Sequence, residues 1–210
     1  MLRRKEKIMR HDLVTLNQWI DTGSRVLDLG CGEGVLLEHL VDNKAVRGLG
    51  VEIDAGNITR CIAKGLNVIE QDIDNGLSNF ADNSFDTVLL TQTLQAVRRP
   101  DYVLQEMLRV GKECIITFPN FGHWQVRLYL MLRGKMPVSK MMPYHWYDTP
   151  NIHFCTVKDF EMLCKEQDIK ILHRTVQAVQ GADEKIQTPH WYNKLWPNFL
   201  GAHAIYHVTR

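Results

Sequence analysis

The sequence lacks any apolar run long enough to cross a bilayer. Its most apolar later segment, Trp124 to Leu132, contains Arg127 and is far shorter than the roughly 20 residues a span requires. At the N-terminus, MLRRKEKIMR is basic, but no apolar stretch with a small-residue cleavage site follows it, so it reads as the polar start of a helix. Cysteine is scarce: the 5 thiols are an odd number and none forms a CxxC pair, which argues against a disulfide framework or a zinc ribbon. A reducing cytoplasm is the expected compartment. An excess of one charge is missing too, with 25 Lys plus Arg against 24 Asp plus Glu. A net charge of +1 provides no global field to attract nucleic acid or an anionic membrane. His123, His145 and His153 lack the HxH or HxxxH spacing of a metal site, so no metal is expected. Internal repeats, low-complexity tracts and linkers are absent, so the 210 residues are expected to form one domain.

What is present is an alternation of strand-like and helical segments. Leu13, Leu16 and Ile20, with Trp19 beside them, recur at helical spacing and predict an amphipathic helix before Gly23. RVLDLG then reads as a buried strand, and VLLEHLVDN continues as a helix after a cluster of glycines. Strands are expected at Val46 to Val51, Asn67 to Gln71 and Asp86 to Leu90, in ECIITF, in IKILHRTVQAV and in AHAIYHVT. Helices are expected at Ala55 to Lys64, Asp101 to Val110 and Gly122 to Arg133, and over VKDFEMLCKEQ with Thr156 as its N-cap. Strands separated by helices in this order imply right-handed crossovers and an α/β fold with a doubly wound, mostly parallel sheet.

The sharpest signal is VLDLGCGEGVLLEHL, where Asp28 ends the strand and Gly30, Gly32 and Gly34 alternate through the turn into the helix. A Cβ at such a turn would hold the backbone away from a ligand lying across the strand ends. The dinucleotide fingerprint is GxGxxG, with a pyrophosphate at the helix N-terminus. DxGxGxG instead sets a carboxylate before the turn, which suits S-adenosylmethionine or S-adenosylhomocysteine, ligands with no phosphate and a positive amino acid end. The turn amides can meet the ligand carboxylate. Glu52 ends the second strand about 20 residues after the turn, where a carboxylate can accept both ribose hydroxyls. Asp72 ends the third strand, where it can accept the adenine amino group, and Ile53 and Ile73 can wall the ring. Cys31 reads as a small packing residue within the turn and Asp54 as a helix cap. Gln92 and Gln95 are open to two readings, lining the methionine end of the pocket or serving as surface or cap residues.

No catalytic group is advertised. Methyl transfer needs chiefly an aligned nucleophile, with a base only if that nucleophile must lose a proton. The segment TQTLQAV after the fourth strand carries neither an NPPY-like motif nor a Pro-Cys pair. From 119 to 153 the alternation breaks into a helix and a loop dense in Pro, Tyr, Trp and His, read as an insertion that is either a lid or a partner-docking region. Asn120, His123 and Tyr147 are the candidates for contact with an acceptor molecule. Arg127, Arg133, Lys135 and Lys140 read as a solvated helix face rather than a nucleic-acid platform.

RHDLVTLNQWIDTGSRVLDLGCGEG, SFDTVLLTQTLQAV, RVGKECIITFPNFGHW and PYHWYDTPNIHFCTVKDF together resemble the MetW family of bacterial methionine biosynthesis proteins, from about Met9 to His207. The glycine motif is shared by all class I methyltransferases, whereas FPNFGHW and WYDTPNIH are particular to MetW. The resemblance implies a Rossmann-like class I methyltransferase fold with an antiparallel C-terminal strand, and ligand positions at Asp28, Gly30, Gly32, Glu52 and Asp72. Glu33 stands where Asp is common. It also implies a role beside the homoserine O-acyltransferase MetX. Two readings follow: a partner subunit of MetX that holds the nucleotide, or an active methyltransferase acting on a small metabolite or protein.

Overall fold

Strands buried on both faces must carry apolar residues at successive positions, and those positions then divide alternately between two cores. The computed structural model, which describes residues 15–139, 142–177 and 195–210, shows this division directly. Leu27 and Leu29 of β1 (Arg25–Leu29), Val88 and Leu90 of β4 (Phe85–Thr91), and Ile116 and Phe118 of β5 (Gly111–Pro119) enter one apolar cluster. Their neighbours Val26, Leu89 and Ile115 enter another. Burying each such side chain contributes about 1.5–3 kcal/mol.

The first cluster is covered by Val103, Leu104, Met107 and Leu108 of α3 (Pro100–Val110) and by Val157, Phe160 and Cys164 of α5 (Val157–Glu166). Leu36 and Leu40 of α1 (Val35–Lys44) cover the second, together with Leu16 and Ile20. Residues 15–19 are helical, as expected, while Leu13 and the basic N-terminus lie outside the described residues.

The remaining strands are β2 (Arg47–Glu52), β3 (Val68–Glu70), β6 (Lys170–Gln177) and β7 (His203–Thr209). Among the described residues seven strands form one sheet in the order β3-β2-β1-β4-β5-β7-β6. All neighbours from β3 to β5 are parallel, and β7 runs antiparallel to both β5 and β6. This is the expected Rossmann-like arrangement, with one reversed C-terminal strand. Strand order reverses between β1 and β4, and such a switch point opens a crevice at the carboxyl ends of the strands.

The described residues also form the helices α2 (Ala55–Ala63), α4 (Trp124–Arg133) and α6 (Pro197–Leu200). Thr156 caps α5 in a reciprocal box, accepting from the Asp159 amide at 3.2 Å while Asp159 accepts from the Thr156 amide at 3.0 Å. Such a cap contributes about 1 kcal/mol and fixes where the chain re-enters the fold. The strand expected through 179 is seen to Gln177, and residues 178 and 179 lie outside the described residues, as does Lys140. Among the described residues no helix is long and apolar enough to cross a membrane, and no group of three metal-ligating side chains occurs.

Candidate functional site

The glycine turn joins β1 to α1 directly above the switch point. Gly30, Gly32 and Gly34 all have positive φ, at 67°, 57° and 72°. At Gly34 a Cβ would collide with Leu66 and lie 2.9 Å from the Cys61 sulfur, so close packing against α2 forbids a side chain there. Gly32 differs. A Cβ built on it meets nothing within 4 Å, so its backbone faces open space. Val51 holds the turn down, its carbonyl accepting from the amides of Gly30 at 2.8 Å and Cys31 at 3.1 Å.

Asp28 lies under this turn, paired in register with Gly50 of β2 and Leu89 of β4. It is 1% exposed, and neither carboxylate oxygen has a hydrogen-bond partner. Burial, followed by the neighbouring Glu52 carboxylate, pushes its pKa up to about 7. A buried carboxylate with no donor is costly, and a cation or a hydrogen-bond donor reaching it would complete it.

Glu52 is the opposite case. Its Oε2 accepts the Gly32 amide at 2.7 Å, and its Oε1 accepts those of Ile53 at 2.8 Å and Asp54 at 2.9 Å. A carboxylate has about four acceptor sites, so three amides leave room for about one more donor, not the two ribose hydroxyls expected. The turn amides are less available than expected as well, because Gly30, Cys31, Gly32 and Gly34 all donate within the protein. A ligand carboxylate would have to displace Glu52 to reach the Gly32 amide.

The other positions divide by environment. Asp54 caps α2, accepting the Asn57 amide at 2.8 Å. Asp72 stands one strand further out and accepts the Asp74 amide at 3.0 Å, closing a short turn at Ile73–Asn75. Ile53 is 62% exposed, whereas Ile73 packs against the first apolar cluster. Cys31 packs beneath Gly50, and its thiol is held protonated by burial and by the Asp28 carboxylate. Gln92 sits at φ 53° just past β4, with its backbone and side-chain N–H groups both donating to the Thr117 hydroxyl, at 3.0 and 3.2 Å. Gln95 is buried. Its amide nitrogen donates to the Gln92 carbonyl, and its Oε1 has no partner.

Because β1 and β5 are parallel members of one sheet, residues after β5 stand at the same end as the glycine turn. Asn120 is fully buried there. Its Nδ2 donates to the carbonyls of Asn198 and Gly201, and its Oδ1 accepts the amides of Gly122 and Val157. His123 is buried at the start of α4 with Nδ1 unpartnered, and burial holds its pKa below the usual range while a bond to the Leu200 carbonyl pulls it back up. Tyr147 is exposed and stacked on His145 at 5.3 Å.

Sequence reasoning missed three supporting residues. Thr93 lies where a Cβ on Gly30 would fall, Thr117 anchors Gln92, and His203 sets a second imidazole beside His123. Burial lowers the His203 pKa to about 4, with His123 adding to the effect. Thr93 follows the end of β4 closely enough to be suspected, but His203 joins His123 only through the pairing of Pro119 with His203 across β5 and β7. A separate cavity of about 350 Å³ at the opposite end of the sheet, lined by Trp19, Asp21, Asp86, Lys112 and Glu113 among others, does not touch these residues.

The sequence matches the family described as methionine biosynthesis protein MetW over residues 10–208. The chain belongs to the MetW family. A MetW relative, the bifunctional methionine biosynthesis protein MetXA/MetW of Rhodopirellula baltica, is 38% identical over 161 residues, which are 72% of this chain and 26% of that protein. The chain thus spans about a quarter of the length of this curated relative. Among solved structures, this chain is similar to an S-adenosylmethionine-dependent methyltransferase from Mesorhizobium loti, with TM-score 0.68 and 15% identity, covering 95% of this chain and 98% of that one. A methyltransferase from Archaeoglobus fulgidus gives TM-score 0.65 at 15% identity, covering 97% and 94%. At such low identity these likenesses establish the fold alone, which is that of class I methyltransferases.

Proposed function

We propose that the chain binds S-adenosylmethionine or S-adenosylhomocysteine at the glycine turn and acts as a partner subunit of the homoserine O-acyltransferase MetX. The observation that carries the first part is the Asp28 carboxylate, buried and without a donor beside a turn whose Gly32 backbone faces open space. These residues fit the group: Asp28 would hold its ammonium end, Glu52 one ribose hydroxyl, Asp72 the adenine amine and Ile53 one face of the ring. Cys31 fills the turn from beneath, and Gln92 borders the methionine end. Bound there, S-adenosylmethionine would supply an activated methyl group. Calorimetric titration with both nucleotides tests this part. Glu52→Ala should weaken binding by about 10- to 100-fold, since a charged hydrogen bond to the ligand is lost and the turn loses its anchor. Equal affinity in wild type and variant would overturn the assignment.

The partner role is supported by the relative whose single chain is named for both MetXA and MetW. Acyltransferase activity measured with and without this chain, each with and without nucleotide, tests it. A nucleotide that couples to the partner must bind the two states with different affinity, so an unchanged acyltransferase rate across all four conditions would overturn the coupling.

One observation favours a second reading, an active methyltransferase. His123 leaves Nδ1 without a partner at the ligand end of the sheet, and burial there disfavours its charged form, which suits a general base. Transfer of labelled methyl into cell extract, abolished in His123→Gln with nucleotide binding intact, would support it.

A further inference from the structure

Helix α4 is anchored by a single buried residue, Val126. Trp124, Leu128, Tyr129, Leu130, Met131 and Leu132 are all exposed, Met131 at 74% and Leu132 at 68%. Five consecutive exposed apolar positions run right round a helix, so α4 stands proud of the sheet instead of lying with one stripe against it. The patch continues onto α6, where exposed Phe199 lies under the Arg127 guanidinium at 5.8 Å. An apolar surface of this extent on a folded chain marks an interaction site.

Charge narrows the occupant. Between Phe121 and Tyr147 the sequence holds Arg127, Arg133, Lys135 and Lys140 and no Asp or Glu, although the whole chain is nearly balanced at 25 basic to 24 acidic residues. Arg127 is held by the Gly122 carbonyl at 2.6 Å, while Arg133 and Lys135 are exposed and form no ion pair among the described residues. The complementary surface is therefore an apolar hollow rimmed by carboxylates.

We propose that α4 is the docking face for the homoserine O-acyltransferase subunit, which offers such a hollow. This rests on the partner reading above and assigns its surface. The occupant is argued from the relative that joins the two named proteins in one chain, and from the segment 121–147, which carries basic residues and no acidic ones. A partner seated on α4 sits at the ligand end of the sheet, since α4 begins five residues after β5 ends.

The test is interferometry between the full chain and the acyltransferase of the same organism. Two double variants are compared with wild type, Met131→Glu with Leu132→Glu and Arg133→Glu with Lys135→Glu, and Met162→Glu on the exposed side of α5 serves as control. Melting and S-adenosylhomocysteine titration check that each variant is folded. The apolar pair is expected to weaken the complex at least 100-fold. The charge-reversal pair should weaken it at least tenfold and remove its salt dependence, and the control should stay within twofold of wild type. If the apolar pair unfolds the chain, the exposed charge pair alone decides. Wild-type affinity in both double variants would overturn the proposal and leave the partner reading standing. No binding by wild type would overturn the partner reading and this proposal with it. A loss confined to self-association, or to cosedimentation with phosphatidylglycerol vesicles, would assign the face to a second copy or to lipid and overturn it.

Discussion

Glu52 accepts the Gly32 amide at 2.7 Å, so the tip of β2 is tied to the middle of the glycine turn. The same carboxylate is the second cause of the raised Asp28 pKa, after burial itself. Glu52→Gln should then separate two effects. Nucleotide affinity falls about tenfold, because a neutral amide is a weaker acceptor than a carboxylate. The Asp28 pKa moves down at the same time, because a neighbouring negative charge has gone. Carboxyl carbon chemical shifts of Asp28 followed across pH 4 to 9 in both proteins check the second effect, and an unmoved titration would mean that burial alone governs Asp28.

Asp28 also makes stability depend on pH. In the unfolded chain its carboxyl ionises near ~3.9, whereas the folded chain keeps the proton up to about 7. Between those limits the folded state binds more protons, so the Asp28 contribution to stability falls as pH rises, by the order of a few kcal/mol across the window. His203 works in the opposite direction. Its pKa is lowered to about 4, so the unfolded state binds more protons between about 4 and ~6.5 and stability rises with pH there. The two oppose each other in the lower part of the window, and the difference between wild type and Asp28→Asn isolates Asp28. Ligand-free melting temperatures from pH 5.5 to 8 should show wild type losing several degrees relative to the variant. Parallel curves would show that Asp28 ionises normally. A cationic ligand reverses the sense, binding about tenfold more tightly per pH unit as Asp28 loses its proton below pH 7.

Asn120 is expected to matter to folding. Asn120→Ala strips partners from the carbonyls of Asn198 and Gly201 and from the amides of Gly122 and Val157 in a buried place. The expected loss is about 2–4 kcal/mol, read from urea unfolding as a lower midpoint at unchanged slope. A variant with wild-type stability and lost function would instead make Asn120 a substrate contact.

These residues show where sequence reasoning reached and where it stopped. The sheet was legible because strands buried on both faces read as continuous apolar runs, so RVLDLG, DTVLL and ECIITF stood out and landed within two residues of β1, β4 and β5. Thr156 and Asp54 were legible as caps, because capping is local. The state of Glu52 was not, since three backbone amides compete for it and amides leave no mark in a sequence. Nor was the pairing of His123 with His203, which are 80 positions apart and meet through a reversed strand. The segment Trp124–Arg133 was legible as a helix, but the outward exposure of most of its apolar residues was not, because apolar residues normally signal core.

Gly32 and Gly34 should respond to alanine in different measurements. Both have positive φ, so both substitutions carry a backbone penalty of roughly 1 kcal/mol. Gly34→Ala adds a collision with Leu66 and the Cys61 sulfur, which are parts of the fold, and should lower stability by about 2–4 kcal/mol in all. Gly32→Ala meets no protein atom within 4 Å, so its stability loss should stay near the backbone penalty. Its methyl group, however, projects into the open space assigned to the nucleotide, and there it should cost binding by at least 100-fold. Thermal melting and calorimetry on the two variants separate the outcomes. A Gly32→Ala protein that binds nucleotide like wild type would mean that the ligand lies elsewhere, and with it would fall the assignment of Asp28 as the group that holds the ammonium.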